Sequence, residues 1–167
     1  MAPAHDLAMG RAGSAGLLVL SLALVFAVGA LGGAASTSGL RDWYDGLDRA
    51  PWNPPGWVFG PAWTVLYVLM AIAAWLVART GLDHRTVQVA LVLYLAQLAL
   101  NLAWSLLFFG ARAPGWALAD IVALVVLVAV TTIAFWRIDT MAGWLLVPYL
   151  AWIVFAATLN LWIVLKN

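Results

Sequence analysis

Aromatic and amide side chains recur at helical spacing in three stretches of the chain, and such groups suit noncovalent recognition of a small molecule. In the stretch 97–105, amide, aromatic and hydroxyl residues follow at i, i+4, i+7 and i+8 and therefore share one helical face. They are Gln97, Asn101, Trp104 and Ser105. Amides are costly against lipid, so this face should point into a bundle. Spacing alone slightly favours interhelical hydrogen bonds over a ligand cavity.

A second stretch places Trp152, Ala156 and Asn160 at successive i+4 steps, one turn after Pro148. Tryptophan in membrane helices usually lies at the interfaces, but Trp152 falls close to the middle of its apolar run. A large ring beside a small alanine suits a flat apolar ligand. Pro148 removes a backbone hydrogen bond and can bend the helix to widen the slot.

The third stretch, 49–70, reads RAPWNPPGWVFGPAWTVLYVLM. Pro54 and Pro55 fix their own φ and favour an extended residue before them, so they predict a stiff entry to a helix. We expect this entry to hold Trp52 and Trp57 in place.

Trp63 and Tyr67 lie at i+4 in the helix that follows, where ordinary packing and a pocket explain them about equally well. Pooling the three stretches gives several aromatics with a few uncharged polar groups, which is the composition of a small-molecule site. The pooled residues are Trp52, Trp57, Trp63, Tyr67, Asn101, Trp104, Trp152 and Asn160.

Several other chemistries lack the residues they need. The chain has no cysteine, and its two histidines, His5 and His84, lie in a tail and a loop. Asp120 is the one acidic side chain inside a predicted span, and the basic residues form no patch suited to nucleic acid. The sequence contains no carboxylate pair, hydrolytic triad or glycine-rich phosphate loop. We therefore expect no metal site, no cofactor and no conventional catalytic residue.

The composition identifies an integral membrane protein. Hydrophobic residues make up 66% of the chain and charged residues 9%, which a soluble domain of 167 residues could not bury. The apolar runs are each near the roughly 20 residues needed to cross a bilayer, and none alternates like a barrel strand. We predict an all-α, multi-pass bundle of five transmembrane helices at 14–35, 57–78, 86–109, 116–137 and 143–165.

Short connections after the second, third and fourth spans predict antiparallel neighbours within one domain, residues 1–167. The longer loop 36–56 mixes acids with aromatics and is a candidate lid. The first run has features of a signal peptide, but we expect it to be retained because it is long enough to span and carries Gly29 and Gly33 as a small-residue packing face. Basic residues divide evenly between the two sides, so the positive-inside rule favours neither orientation.

Four motifs in order resemble the TspO/MBR family of bacterial tryptophan-rich sensory proteins and mitochondrial translocator proteins, which include the peripheral benzodiazepine receptor. The resemblance covers nearly all of the chain after about residue 40. The motifs are PWNPPGWVFGPAWTVLY at 51–67, AQLALNLAWSLLFFGAR at 96–112, GWALAD at 115–120 and PYLAWIVFAATLN at 148–160. We accordingly expect a bacterial membrane as the location.

The resemblance implies a five-helix bundle, usually a homodimer, with a ligand pocket under the first loop. Candidate dimer faces are Gly29 with Gly33, and the alanines 96, 99 and 103. The family's pocket residues correspond here to Trp57, Tyr67, Asn101, Trp104, Trp116, Asp120, Trp152, Ala156 and Leu159.

The ligands that the resemblance implies are porphyrins, isoquinoline carboxamides and benzodiazepine-type drugs. Animal members also bind cholesterol, through a motif with tyrosine between a branched apolar residue and a basic residue. This chain reads LNLWIVLKN there, so we do not expect sterol binding. A further departure is Pro51, where some bacterial members carry another tryptophan.

We therefore predict a receptor-like or transporter-like protein that binds a flat tetrapyrrole such as protoporphyrin, with Trp57 and Trp152 stacking on it. Arg41 or Arg49 would pair with the propionates of the ligand. An equally good interpretation is that both arginines are solvated charges of the loop. One alternative is light- and oxygen-dependent porphyrin degradation with Trp57 and Trp152 as redox partners. Another is a sensor of tetrapyrroles or stress that acts through partner proteins. A transporter would show saturable uptake of the ligand into sealed liposomes, and a sensor would show none.

Overall fold

The computed structural model describes residues 11–37 and 40–167, and within these it leaves the side chains of 11, 12, 35–37 and 40–42 undescribed. The described residues form α-helices and connections, with no β-strand among them. A 3-10 turn, Gly56–Val58, precedes the third helix, and a π-helical turn, Leu106–Gly110, extends the fourth. The α-helices are α1 (Arg11–Thr37), α2 (Leu40–Asp45), α3 (Phe59–Ala78), α4 (Arg85–Ser105), α5 (Pro114–Ile138) and α6 (Thr140–Lys166).

Five of these segments are long and apolar enough to cross a membrane. They run from 22 to 27 residues, at or above the roughly 20 that a hydrocarbon core of about 30 Å requires. The predicted all-α bundle of five membrane-spanning helices is confirmed. The segments are Gly13–Ala34, Gly56–Ala78, Arg85–Gly110, Pro114–Ile138 and Thr140–Lys166.

The last span begins three residues earlier than the apolar run predicts. Asp139 is the single residue between α5 and α6, and its Oδ1 accepts a hydrogen bond from the backbone N–H of Ala142 at 3.0 Å. A carboxylate in this position satisfies one of the unpaired N–H groups of the first helical turn. The cap therefore lets the helix start at Thr140, ahead of the predicted apolar run.

The five long helices pack in the order α1, α3, α6, α5, α4 and back to α1. As predicted, α4 neighbours α5 and α5 neighbours α6, because their connections are very short. The prediction that the second and third spans are also neighbours is wrong for the order around the bundle, since α3 lies between α1 and α6 and contacts α4 only slightly. The connection 79–84 is long enough to separate these two helices, and its Gly81 has φ +131°, which favours glycine.

Residue size along α3 explains why the bundle is closed at one end and open at the other. Ala71, Ala73 and Ala74 are buried in the half away from the lid, where small side chains allow close helix approach. In the lid-side half, Phe59 and Trp63 occupy the inward face and hold the helices apart. The interior space therefore lies at the lid end.

The lid is more ordered than a plain loop over 36–56. Helix α1 continues to Thr37, and α2 adds a further short helix, while residues 38 and 39 lie outside the described part of the chain. The rings of Trp43 and Tyr44 contact the ring of Phe108 edge to face at 5.8 and 6.3 Å. These contacts attach α2 to the end of α4.

A second attachment holds the lid to α6. The side-chain amide of Asn167 accepts from the Asp48 backbone N–H at 2.9 Å and donates to the Asp48 carbonyl at 3.3 Å. Trp52 donates from Nε1 to Thr158 Oγ1 at 3.4 Å and packs edge to face on Trp162 at 5.2 Å. The segment 48–52 is thus fixed over the lid-side end of α6.

The turn between α5 and α6 depends on Gly143. A Cβ there would lie 2.5 Å from Cγ and 2.9 Å from Cα of Trp136, so the two helices approach closely at this glycine. The Trp136 and Trp144 rings pack edge to face at 4.7 Å beside it.

We predict that Gly143→Ala lowers stability by about 1–3 kcal/mol, because the methyl group must displace the α5 backbone as well as the indole. The measurement is the apparent midpoint of thermal unfolding in detergent. Gly115→Ala is the matched control, since a Cβ there meets nothing within 4 Å and the substitution favours helix. An unchanged midpoint in Gly143→Ala would show that this helix contact is looser than described.

Candidate ligand pocket

A cavity of about 500 Å³ lies beneath the lid, between α3, α4, α5 and α6. Its position follows from the large inward side chains at the lid end of the bundle. Seven of the twelve residues predicted from sequence line it. They are Trp63, Asn101, Trp104, Trp152, Ala156, Leu159 and Asn160.

Aromatic rings from α3 and α6 form one wall. Phe59 and Trp63 are four residues apart on α3 and contact the ring of Trp152 at 5.8 and 6.4 Å, both edge to face. The Trp63 ring also stacks on Tyr67 at 5.3 Å with an interplanar angle of 30°. Because the small Ala156 follows Trp152 one turn later, the α6 wall leaves room in the cavity beside the indole.

A buried chain of hydrogen bonds lies below the cavity. Tyr67 donates to Asn101 Oδ1 at 3.4 Å, Asn101 Nδ2 donates to the Tyr149 hydroxyl at 3.2 Å, and Tyr149 donates to Gln97 Oε1 at 2.9 Å. This chain joins α3, α4 and α6. The polar face of α4 therefore serves interhelical hydrogen bonding through Gln97 and Asn101, and it also reaches the cavity through Asn101.

A second pair of hydrogen bonds fixes the indole of Trp104. Its Nε1 donates to Asn160 Oδ1 at 3.0 Å, and Asn160 Nδ2 donates to the carbonyl of Pro114 at 2.9 Å. Trp104 also stacks on Phe108 at 5.1 Å with an interplanar angle of 22°. The ring is therefore held from both its edge and its face.

Charged and polar groups of the lid form the rim, which we define as Tyr44, Asp45, Arg49 and Asn53. Arg49 lies 3.3 Å from Asp45, and its guanidinium carbon lies 5.4 Å from the centre of the Tyr44 ring. The Tyr44 hydroxyl donates to Asn53 Oδ1 at 3.3 Å. Burial raises the pKa of Tyr44 despite the opposing effect of Arg49, so this hydroxyl remains a donor at neutral pH.

Five predicted residues lie outside the wall of this cavity, among them two tryptophans that are largely exposed. Trp57 is 75% exposed, because it lies in the 3-10 turn while Phe59 and Trp63 take the inward face of α3. Trp116 is 74% exposed, since Ala117 and Ile121 take the inward face of α5. Stacking of a ligand on Trp57 within the cavity therefore has no support from this arrangement.

The other three lie close to the cavity without lining it. Trp52 is part of the lid attachment, and Tyr67 belongs to the hydrogen-bonded chain below. Asp120 is half-buried on α5, and its Oδ2 has no hydrogen-bond partner among the described residues. The side chain of Arg41 lies outside the described part of the structure.

Sequence reasoning missed several lining residues, chiefly the apolar ones. Phe59 was detectable, since it precedes Trp63 and Tyr67 at the same i+4 spacing. Ile121 and Leu124 of α5 carry no such signal, because one buried aliphatic residue in an apolar helix resembles any other. Phe108 and Phe109 lie in the π-helical turn and line the cavity. This turn departs from α-helical spacing, so the spacing of the preceding residues does not predict which of its side chains point inward.

The fold and the cavity together define a multi-pass membrane protein with an aromatic internal pocket, and its relatives give it a receptor-like or transporter-like role. A sequence model of the TspO/MBR family matches residues 21–165. The chain belongs to the TspO/MBR family.

Relatives from bacteria and animals agree with this assignment. The chain is 41% identical over 150 residues to the tryptophan-rich protein TspO of Chlorobaculum tepidum, covering 90% of this chain and 95% of the relative. It is 48% identical over 124 residues to the translocator protein of Homo sapiens, covering 73% and 72%. It is 45% identical over 134 residues to the tryptophan-rich sensory protein of Cereibacter sphaeroides, covering 78% and 82%.

We predict that Tyr149→Phe lowers the free energy of unfolding by about 1–3 kcal/mol, because it removes two hydrogen bonds and leaves Asn101 Nδ2 and Gln97 Oε1 without these partners in a buried site. The measurement is equilibrium unfolding in mixed micelles of sodium dodecyl sulfate and a mild detergent.

The matched control is Tyr94→Phe, the same change at another buried tyrosine. The Tyr94 hydroxyl has no hydrogen-bond partner among the described residues, so its loss should cost little or nothing. Equal destabilisation by the two substitutions would contradict the assigned role of the hydrogen-bonded chain.

Proposed function

We propose that the protein binds a flat tetrapyrrole such as protoporphyrin in the cavity beneath the lid, with a role in tetrapyrrole transport or regulation. The observation that carries the proposal is the combination of three indoles around the cavity with a guanidinium at its rim. The indoles belong to Trp63, Trp104 and Trp152, and the guanidinium belongs to Arg49.

The size and lining of the cavity support an apolar ligand of drug-like dimensions. Its volume of about 500 Å³ falls within the range of small-molecule sites, which is about 300–1,000 Å³. Trp152 offers an aromatic surface beside the small Ala156, an arrangement suited to a macrocycle lying against the indole. Each aromatic pair contributes about 0.5–1.5 kcal/mol beyond the area it buries.

The rim supports a ligand that carries acidic groups at one end. Arg49 is the basic residue among those lining the cavity, and its only described ion pair is with Asp45, whose side chain is 64% exposed. Such exposed pairs are worth about 0.2–1 kcal/mol, so a ligand carboxylate can compete for the guanidinium. Apolar rings would then lie inside the cavity, with propionates at its mouth.

The names of the relatives support transport or sensing rather than a structural role. The human relative is a translocator protein, and the relative from Cereibacter sphaeroides is a sensory protein. Both activities require a pocket that binds and releases a small molecule.

We predict saturable binding of protoporphyrin by the detergent-purified protein in the dark, weakened about two- to tenfold in Trp152→Phe and in Trp63→Phe. The measurement is the half-saturation concentration from tryptophan quenching, corrected with a soluble tryptophan compound. Trp144→Phe is the matched control, because Trp144 is 57% exposed and lies at the opposite end of α6. Linear quenching that is the same in all variants would indicate partitioning into micelles.

We also predict that Arg49→Gln weakens binding of free protoporphyrin by about two- to fivefold and leaves binding of its dimethyl ester unchanged. The esterified ligand lacks the carboxylates, so the difference isolates the charge interaction. Arg85→Gln is the matched control, since Arg85 begins α4 at the end away from the lid. Equal effects of Arg49→Gln on the two ligands would contradict the proposed orientation.

A further inference from the structure

A second cavity, of about 420 Å³, lies outside the ligand pocket where α1, α3 and α4 meet. We call it the side cavity. Gly33, Gly60 and Thr64 line it and are exposed, and Phe26 lines it with 42% exposure, so it opens on the outer surface of the bundle. The rings of Phe26 and Tyr67, which contact edge to face at 6.3 Å, bound its inner end.

The side cavity lies within the membrane. Its α1 residues extend from Phe26 to Gly33 and its α3 residues from Phe59 to Tyr67, which correspond to about 10 and about 12 Å of helix. Both segments belong to candidate spans and occupy their lid-side halves. One half of a hydrocarbon core is about 15 Å thick, so the cavity extends through most of the lid-side leaflet.

The three hydroxyl groups of the lining donate their hydrogen bonds within the protein. Thr64 Oγ1 donates to the Gly60 carbonyl at 2.9 Å, and Ser105 Oγ donates to the Asn101 carbonyl at 3.5 Å. The Tyr67 hydroxyl donates to Asn101 Oδ1 at 3.4 Å. These three hydroxyl protons are therefore not available to an occupant of the side cavity.

Charge also separates this cavity from the ligand pocket. The lining of the side cavity contains no charged residue, whereas the ligand pocket includes Asp45 and Arg49 at its rim. The remaining lining consists of aromatic rings, Ala30 and glycines, and the surface of the cavity is mostly apolar. These properties favour an occupant that is entirely hydrocarbon where it touches the protein.

We propose that the side cavity is a second binding site, which holds a single acyl chain from a lipid of the lid-side leaflet. Aromatic rings surround the chain, and an unfilled cavity in this position would forfeit their dispersion contacts. The polar head of the lipid lies beyond the cavity at the membrane surface.

Two glycines of α1 provide a matched pair of variants. Gly33 lines the side cavity and a Cβ there meets nothing within 4 Å, so Gly33→Leu adds an apolar side chain at the cavity without a clash at its first carbon. A Cβ at Gly16 also meets nothing within 4 Å, and Gly16 is not part of the lining. Gly16→Leu therefore makes the same change on the same helix and leaves the cavity open.

The test is photolabelling of the detergent-purified protein with lysophosphatidylcholine that carries a diazirine in its acyl chain, followed by peptide mapping. We expect saturable labelling concentrated on 26–33 and 59–67, which excess unmodified lysophosphatidylcholine suppresses. Gly33→Leu should weaken this labelling by about tenfold, because its isobutyl group displaces several methylenes of the chain, and Gly16→Leu should leave it unchanged.

Labelling spread evenly over the five spans, or unaffected by Gly33→Leu, would overturn the proposal. Suppression by glycerophosphocholine, which has the head group and no chain, would also overturn it, since the head would then be the recognised part. Thr64→Phe fills the cavity from α3 and serves as a second variant if Gly33→Leu unfolds. If neither variant folds, the peptide map of the labelled, unsubstituted protein tests the proposal by itself.

Discussion

The buried chain of hydrogen bonds through Tyr67, Asn101, Tyr149 and Gln97 is the constraint on which the pocket depends. Unpaired polar side chains are unfavourable in a membrane interior, so these hydrogen bonds join α3, α4 and α6 at the floor of the pocket. Below the chain, the small residues of α3 allow close packing. Above it, the large rings of α3 and α6 keep the helices apart, and the space that results is the ligand pocket.

The lid completes this arrangement by two kinds of contact. Rings of α2 pack on the π-helical end of α4, and the side chain of Asn167 holds the backbone of Asp48 over α6. These attachments lie on different helices, so the lid bridges α4 and α6 at the mouth of the pocket. The hydrogen-bonded chain joins the same two helices at its floor.

The two cavities share four aromatic side chains, those of Phe59, Trp63, Trp104 and Phe109. These four side chains form a wall between the two cavities. One face of the wall lines the ligand pocket, which has charged groups at its rim, and the other lines the uncharged side cavity, which is open to the bilayer. Rings are suited to such a boundary because they are rigid and offer contact surface on both faces. An acyl chain on one side and a ligand on the other would therefore touch the same side chains.

The sequence alone determined the properties that depend on local periodicity and composition: five apolar spans, an all-α bundle, and helical faces such as Trp152 with Ala156 and Asn160. The tertiary structure decided which residues face the same space. Trp57 and Trp116 are aromatic, as the residues of such a pocket should be, but both are largely exposed. Phe59 and Ala117 take the inward positions instead. The contact between Asp48 and Asn167 joins residues 119 apart, and no local pattern predicts it, because such contacts depend on how whole helices pack.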